Sequence, residues 1–393
     1  MKITNIRVIG QNLPVSHVAL VEVETDEGSV GVGATSAPIP VIAALVGDLA
    51  PLLIEQDPSR PENLWRTMFE RWQAQRGRGG EGGVAVNAMA AIDMALWDVT
   101  GKTANRPVHA LVGGAKQRRI MVYASATYYD YVGSLRAGRT VWKSADTLVQ
   151  ESKAYVEQGF RAIKFGWANH YAPEDLDKLA AIREAIGPDV RLMLDFGCPA
   201  YLDDHWSIER AVDVLQRLEP FDLYFFEEAL HPYDVDGFAS LKQQSRTRIA
   251  TGESLVTLRD FDRFTDSAAV DVIQPDAQQI GITTFRDVAA HAERAGILCV
   301  PHCPWTALAV AAHLQVLSTF NSETMIEYPA MAGFEDVPFE FQFNDAMNMR
   351  IIETPPAVRD GYLELNDRPG LGLGQFVVDV IEELESLERV CYP

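Results

Sequence analysis

The chain has 393 residues, 47% of them hydrophobic and 23% charged, enough material for one large barrel plus a smaller globular unit. Lys and Arg number 34 against 55 Asp and Glu, a formal net charge of −21, which argues against nucleic acid and against an anionic membrane surface, since both need a basic face. An acidic shell still admits an anionic substrate, because a buried cation reverses the sign locally.

The opening MKITNIRVIG has neither a long apolar core nor a small-residue cleavage site, and no apolar run approaches the roughly 18 residues needed to cross a bilayer. Four cysteines (Cys198, Cys299, Cys303 and Cys391) in so long a chain do not make a disulfide framework, so the expected compartment is the cytoplasm.

KITNIRVIG and SHVALVEVETDEG alternate in the manner of strands, with a turn at Asp26-Glu27-Gly28. Helical periodicity starts near Val41 and resumes in VAVNAMAAIDMALWDVTGK, where Ala88, Ile92, Leu96 and Val99 share a face and Gly101 is expected to stop the helix. The intervening RGRGGEGG, residues 76–83, reads as a loop; a phosphate cradle would need a G-K-[ST] and a preceding strand.

From about residue 120 the pattern becomes strand, helix, strand, helix. IMVYASA is followed by SADTLVQESKAYVEQG, an amphipathic helix with Leu148, Val149, Ser152, Tyr155 and Val156 on one side and Gly159 at its end. FRAIKF, VRLMLD, DLYFFEE, RIATGE, AVDVIQPD, ILCVPH and TMIEY complete eight apolar strands separated by helical stretches such as PEDLDKLAAIREAIG. Near-continuous apolar strands alternating with helices indicate a parallel sheet, and eight such units over 200 or so residues match a (β/α)₈-type (TIM-like) barrel. An open doubly wound sheet is the competing arrangement, but no G-x-G-x-x-G fingerprint supports it. The segment from about residue 350, rich in Pro and Gly and closing in a short helix, is expected to return to the N-terminal unit.

The functional signal lies where the strands end. Lys164, Asp195, Glu227, Glu253, Asp276, His302 and Glu327 each close a strand, at spacings of about 23 to 32 positions, one βα unit apiece. In a barrel these ends converge on the face that carries the active site. Asp195, Glu227 and Glu253 come from three successive strands, and three crowded carboxylates repel unless a cation neutralises them. An all-oxygen set suits a hard ion, and Mg²⁺ takes a few carboxylates while leaving places for substrate and water. Helix N-caps or ion pairs at the βα loops are the plain alternative. Asp276 and His302 end the next two strands; an Asp accepting from one imidazole nitrogen fixes the tautomer and raises the basicity of the other, which makes a general base. The remaining histidines (His17, His109, His170, His205, His231, His291 and His313) lack that setting and read as structural, with His170 and His205 as candidate loop contributors. Cys299, His302 and Cys303 do not have the paired spacing of a zinc site, and Ser36, Ser125 and Ser254 have no G-x-S-x-G elbow.

At these residues the sequence resembles the enolase superfamily, mandelate racemase subgroup, and within it the acid-sugar dehydratases. AAIDMALWDVTGKTANRPVHALVGG (residues 90–114) is similar to the segment joining that family's capping domain to its barrel, and LDFG, FFEEAL, TGES, QPDAQQIGI, VPHCPW and MIEYP are similar to its strand-end motifs. The resemblance implies an N-terminal α+β capping domain over 1–118, a catalytic barrel over 119–350 and a C-terminal segment, 351–393, that completes the cap. It implies Mg²⁺ on Asp195, Glu227 and Glu253, an Asp276–His302 catalytic dyad, and Glu327 near the substrate carboxylate. It further implies a homo-oligomer, with specificity set by cap loops around residues 11–17 and 34–40.

Two positions depart from the family pattern. Members with two opposed bases carry Lys-x-Lys on the second barrel strand, where this chain has Lys164-Phe165-Gly166, and many have Asp-x-Asn where it has Asp195-Phe196-Gly197. A muconate-lactonising or succinylbenzoate-synthase activity would want a lysine in place of Asp276. With Gly166 unable to carry a proton and Lys164 assigned to the substrate carboxylate, one base remains. The expectation is a hydro-lyase: His302 takes the α-proton of a sugar acid and the β-hydroxyl leaves, giving a 2-keto-3-deoxy acid. A racemase or epimerase, which needs a second base, and an inactive acid-binding sensor or scaffold are the alternatives.

Overall fold

The computed structural model describes residues 1–9, 18–75, 82–130, 133–134, 137–166, 168, 170–197, 206–302, 306–328 and 351–385. Residues 11–17, most of the 76–83 loop, Cys198, Cys303, Cys391, His17 and His205 lie outside them.

The chain opens with an antiparallel sheet of β1 (Ile3–Ile9), β2 (Val18–Thr25) and β3 (Val30–Ser36), in that order. The turn expected after Asp26 joins β2 to β3, with the Gly28 amide donating to the Thr25 carbonyl. Helices α1 (Ile39–Leu49), α2 (Pro61–Gln75), α3 (Val84–Thr103) and the short α4 (Val108–Leu111) follow. Ala88, Ile92, Leu96 and Val99 are buried as expected, but so is nearly every residue from Ala85 to Gly101. The cause is that α3 is sandwiched: β3 packs on one side and the barrel helix Ala277–Ala295 on another. Gly101 does not end α3, which runs on to Thr103. A Cβ at Gly101 would meet the Gly370 Cα at 2.6 Å, so this glycine serves a close backbone approach instead of a stop.

Eight parallel strands then alternate with helices. They are β4 (Arg119–Thr127), β5 (Ala162–Gly166), β6 (Arg191–Asp195), β7 (Leu223–Glu227), β8 (Arg248–Thr251), β9 (Val272–Ile273), β10 (Leu298–Cys299) and β11 (Met325–Tyr328). Between them run α5 (Ala145–Glu157), α6 (Pro173–Ile186), α7 (Ile208–Leu218), α8 (Val235–Gln244), α9 (Leu258–Asp266), α10 (Ala277–Ala295) and α11 (Ala307–Leu317). Each strand pairs with its successor from β4 to β10, and β11 returns to pair with β4. Between β10 and β11 the Thr324 hydroxyl donates to the Cys299 carbonyl at 2.5 Å. One residue from each of the eight strands or its end (Tyr123, Ala162, Met193, Phe225, Ala250, Val272, Val300 and Met325) joins a buried cluster separate from the larger core, the packing expected of a TIM-like barrel interior.

Helix starts are marked by side-chain caps: Ser144 for α5, Ser207 for α7, a reciprocal Thr257/Asp260 box for α9, Asp276 for α10 and Thr306 for α11. On α5, Leu148, Ser152 and Tyr155 are buried, whereas Val156 is exposed: it sits one helical step beyond Tyr155 and rotates out of the stripe.

The tail does reach the N-terminal unit. The Leu371 amide donates to Asp98 Oδ1 at 2.8 Å, Lys102 Nζ donates to the Gly374 carbonyl at 2.8 Å, and Gln375 Nε2 donates to the Val30 carbonyl at 3.2 Å. It also adds a hairpin, β12 (Val358–Arg359) and β13 (Tyr362–Glu364), whose second strand lies antiparallel to β4 at Arg119–Met121. β5 pairs only with the far end of β4, Ala124–Thr127, so β13 takes up backbone groups that β5 leaves unpaired. The chain closes with α12 (Val378–Glu385). Among the described residues no helix is long and apolar enough to cross a membrane.

Candidate active site

Strand register brings the first carboxylates together. Gly166 pairs with Asp195, and Asp195 with Glu227, so three successive strands end level with one another. Glu253 follows β8 by two residues and completes the group: one oxygen from each of Asp195, Glu227 and Glu253 lies within 4.8 Å of the others. Full charges at such a distance repel by about 3–4 kcal/mol per pair at an effective dielectric of about 20, so the cluster demands positive charge.

Lys164 supplies part of it. The lysine is 2% exposed, and its Nζ lies 2.7 Å from Glu227 Oε2, 3.1 Å from Glu327 Oε1 and 3.3 Å from Asp195 Oδ2. Burial opposes its charge, but Glu227 and Glu327 outweigh that and hold the ammonium well above the usual lysine range. Burial pushes Glu227 well above the usual carboxylate range, with repulsion from Asp195 adding to it. Asp195 is raised to about 6, by burial against the pull of Lys164. One lysine therefore leaves the carboxylates short of compensation. Glu227 Oε1, moreover, is buried with no hydrogen-bond partner, while Asp195 Oδ1 accepts from the Gly197 amide at 2.7 Å. An oxygen-only donor set with an unspent buried oxygen suits a hard divalent cation.

On the neighbouring strand ends, His302 Nδ1 lies 3.3 Å from Asp276 Oδ2, and its Nε2 lies 3.3 Å from Glu253 Oε2. The imidazole thus spans from Asp276 to the carboxylate group. Burial works against its protonation, but Glu253 and Asp276 more than offset this and hold it up to about 10. All seven strand-end residues expected from the sequence meet in one cluster.

Several contributors were not legible in the sequence. His313, on α11, is fully buried; its Nε2 accepts from the Ala277 amide at 3.0 Å and lies 3.7 Å from Asp276 Oδ1. No local signal marks it, because α11 meets α10 only in the folded barrel. Glu228 is also fully buried, with a left-handed backbone (φ 54°) that turns it inward beside Glu227; the Thr251 hydroxyl donates to its Oε1. Burial raises its carboxyl to about 8. Gln274, in the segment between the end of β9 and Asp276, is buried with both amide atoms unpartnered.

Two other histidines make side-chain pairs away from the cluster: His109 Nδ1 pairs with Gln315 Oε1 at 2.8 Å and His291 Nδ1 with Asp262 Oδ1 at 2.5 Å. The His170 ring lies 5.6 Å from that of Phe196, next to Asp195. Cys299 is a buried free thiol. From the 34–40 stretch, Thr35 and Ser36 reach α10 beside Asp276.

This architecture recurs in known proteins. Residues 147–374 match the Enolase C-terminal domain-like family, and residues 11–113 match the Mandelate racemase / muconate lactonizing enzyme N-terminal domain. An arabinonate dehydratase of Saccharolobus solfataricus is 28% identical over 91% of this chain and 87% of its own length. A 3,6-anhydro-alpha-L-galactonate cycloisomerase of Streptomyces coelicolor is 31% identical over 94% of this chain and 90% of its own. The crystal structure of an L-talarate dehydratase from Polaromonas, complexed with Mg and L-glucarate, superposes with a TM-score of 0.75 at 27% identity, covering 96% of each chain. With two family matches that together span most of its length, the chain belongs to the enolase superfamily, in the mandelate racemase subgroup.

Proposed function

We propose that this protein is a magnesium-dependent hydro-lyase that dehydrates a sugar acid. The observation that carries the reading is the placement of His302, whose two ring nitrogens face Asp276 on one side and the Asp195/Glu227/Glu253 group on the other. In this reading Mg²⁺ rests on those three carboxylates and, when bound, stabilises negative charge developing on the substrate carboxylate. The related dehydratases and the Mg-containing L-talarate dehydratase structure support it. It carries with it the division of the chain at 1–118, 119–350 and 351–393.

Asp276 orients His302; with Glu253 engaged by a cation, the pull that favours the charged ring would fall, and the neutral imidazole removes the proton at carbon 2. Lys164 presents an ammonium, fixed by Glu227, Glu327 and Asp195, to the enediolate that forms. Glu327 lies beside that ammonium, within reach of the substrate carboxylate. The carbon 3–oxygen bond then breaks, the electrons of the enediolate form the carbon 2–carbon 3 double bond, and the hydroxyl leaves as water with the proton from His302. The enol product tautomerises to the 2-keto-3-deoxy acid. Position 166 is a glycine and Lys164 is held as an ammonium by its carboxylates, so β5 offers no second base.

The 31% identical cycloisomerase favours a second reading that shares the first step. If the oxygen on carbon 3 belongs to a ring, the same elimination opens the ring and yields an isomer without loss of water. Incubation with single diastereomers of open and 3,6-anhydro sugar acids, followed by NMR, separates the two. Inversion at carbon 2 without any 2-keto acid would overturn both and point to a second base.

A further inference from the structure

The first turn of α10, which Asp276 caps, is held by the N-terminal unit as well as by its own helix bonds. At Gly281 the backbone leaves helical geometry (φ 73°, ψ 164°), so residues 277–280 form a turn set apart from the rest of α10. A side chain there is excluded as well: a Cβ would lie 2.7 Å from Asp93 Oδ2. Beyond the break the helix restarts under a cap from α3, where Asp93 accepts from the Thr283 amide at 2.9 Å and the Thr283 hydroxyl at 2.6 Å.

Gln278 lies in that isolated turn and is fully buried with every polar group engaged. Its amide donates to Asp276 Oδ1 at 2.8 Å, and its carbonyl accepts from the Thr35 hydroxyl at 2.6 Å. The side-chain Nε2 donates to Ser36 Oγ at 2.8 Å, and Oε1 accepts from Thr306 Oγ1 at 2.5 Å. Thr35 and Ser36 end β3, in the N-terminal unit; Thr306 caps α11, four residues after His302. One side chain thus ties together the end of β3, the turn that bears Asp276, and the Thr306 cap of α11.

We propose that Gln278 is a positioning residue that makes the geometry of the Asp276–His302 pair depend on the docking of the β3 end. The inference rests on the dyad reading above. Buried side-chain amides with all bonds made hold a geometry firmly, and a half-satisfied one loosens it. When β3 is seated, Gln278 is anchored at Ser36 and fixes both the Asp276 turn and the Thr306 cap. When it is displaced, the amide loses its donor contact and the two strand ends become free to separate. A misplacement near 1 Å at reacting groups costs about a hundredfold in rate, so partial loosening is visible in turnover.

The test compares Gln278→Met, Ser36→Ala and the double variant with wild type, and adds Ser36→Thr, which keeps the hydroxyl. Gln278→Met and Ser36→Ala should each lower kcat by about tenfold or more with KM changed less than about threefold, the signature of misplaced reacting groups. The double variant should lose little beyond the worse single variant, because one contact is removed twice, and Ser36→Thr should restore most of the activity. His302 ring resonances, followed by NMR, should move in Gln278→Met and Ser36→Ala and stay in place in Ser36→Thr. This second readout does not need turnover, so a wild type inactive on every sugar acid would sink the functional reading while still testing the tie. Unmoved His302 resonances in folded Gln278→Met, or kcat within twofold of wild type, overturns the proposal.

Discussion

Asp276 faces a second imidazole besides that of His302: His313 Nε2 lies 3.7 Å from Asp276 Oδ1 and accepts the Ala277 amide at 3.0 Å. Burial pulls His313 down to about 4, against the attraction of Asp276, so at neutral pH it is an uncharged acceptor at the start of α10. Its role is to satisfy a backbone donor next to the residue that orients the proposed base. His313→Leu leaves the Ala277 N–H unpaired, and the expected loss is about 1–3 kcal/mol in urea unfolding, together with slowed α-proton exchange. His313→Gln, whose amide oxygen can accept, should lose clearly less of both. Equal losses in the two variants would mean that the ring is wanted for its shape and not for its acceptor.

Asp93 gives a pH dependence of stability with a definite sign. Burial raises its carboxyl to about 7, against the hydrogen bonds from Thr283. With a folded value above the unfolded one near 3.8, the folded state holds the proton more tightly. Its contribution is therefore full below about pH 4 and is lost as pH rises through about 7. Asp93→Asn removes that loss, so its stability relative to wild type should improve by about 1–3 kcal/mol between pH 5 and pH 8 in urea titrations. Taking the difference between the two proteins cancels His313, which acts with the opposite sign over an overlapping range. A difference that stays flat would show Asp93 ionised throughout.

Metal binding should be visible as stabilisation. If Asp195, Glu227 and Glu253 hold Mg²⁺, a ligand concentration one hundred times Kd adds about 2.7 kcal/mol and raises Tm accordingly. Glu253→Gln should abolish that rise and, with Mn²⁺ as probe, the bound-ion signal in electron paramagnetic resonance. A full Mg²⁺ response in Glu253→Gln places the ion elsewhere.

Gly166 stands level with Asp195, yet a Cβ there would meet Asp195 Oδ2 only at 3.5 Å, an ordinary contact. The site therefore has room for a methyl group. Gly166→Ala should keep kcat/KM within about twofold, as expected when no new overlap is created and no reacting group is removed. A large fall would show that the glycine is needed for backbone freedom or for space occupied by substrate.

The strand-end residues were readable because the βα repeat is a local pattern: each apolar run after the first closes on an ionisable group, and barrel geometry sends all such ends to one face. The strand-by-strand order of Asp195, Glu227, Glu253, Asp276 and His302 was in the same way enough to suggest a metal group beside a base. What the sequence alone left open depends on contacts between elements far apart in the chain. Gly101 read as a helix stop because nothing nearby shows that Gly370 will press against it. His313 and Asp93 acquire their roles only when α11 and α3 pack against α10, and Gln278 only when the end of β3 reaches it across 242 positions. Such hydrogen bonds follow from burial, which removes competing water and obliges each polar group to find a partner. Periodicity fixes which face of an element turns inward, but the identity of the partner is decided by the three-dimensional packing.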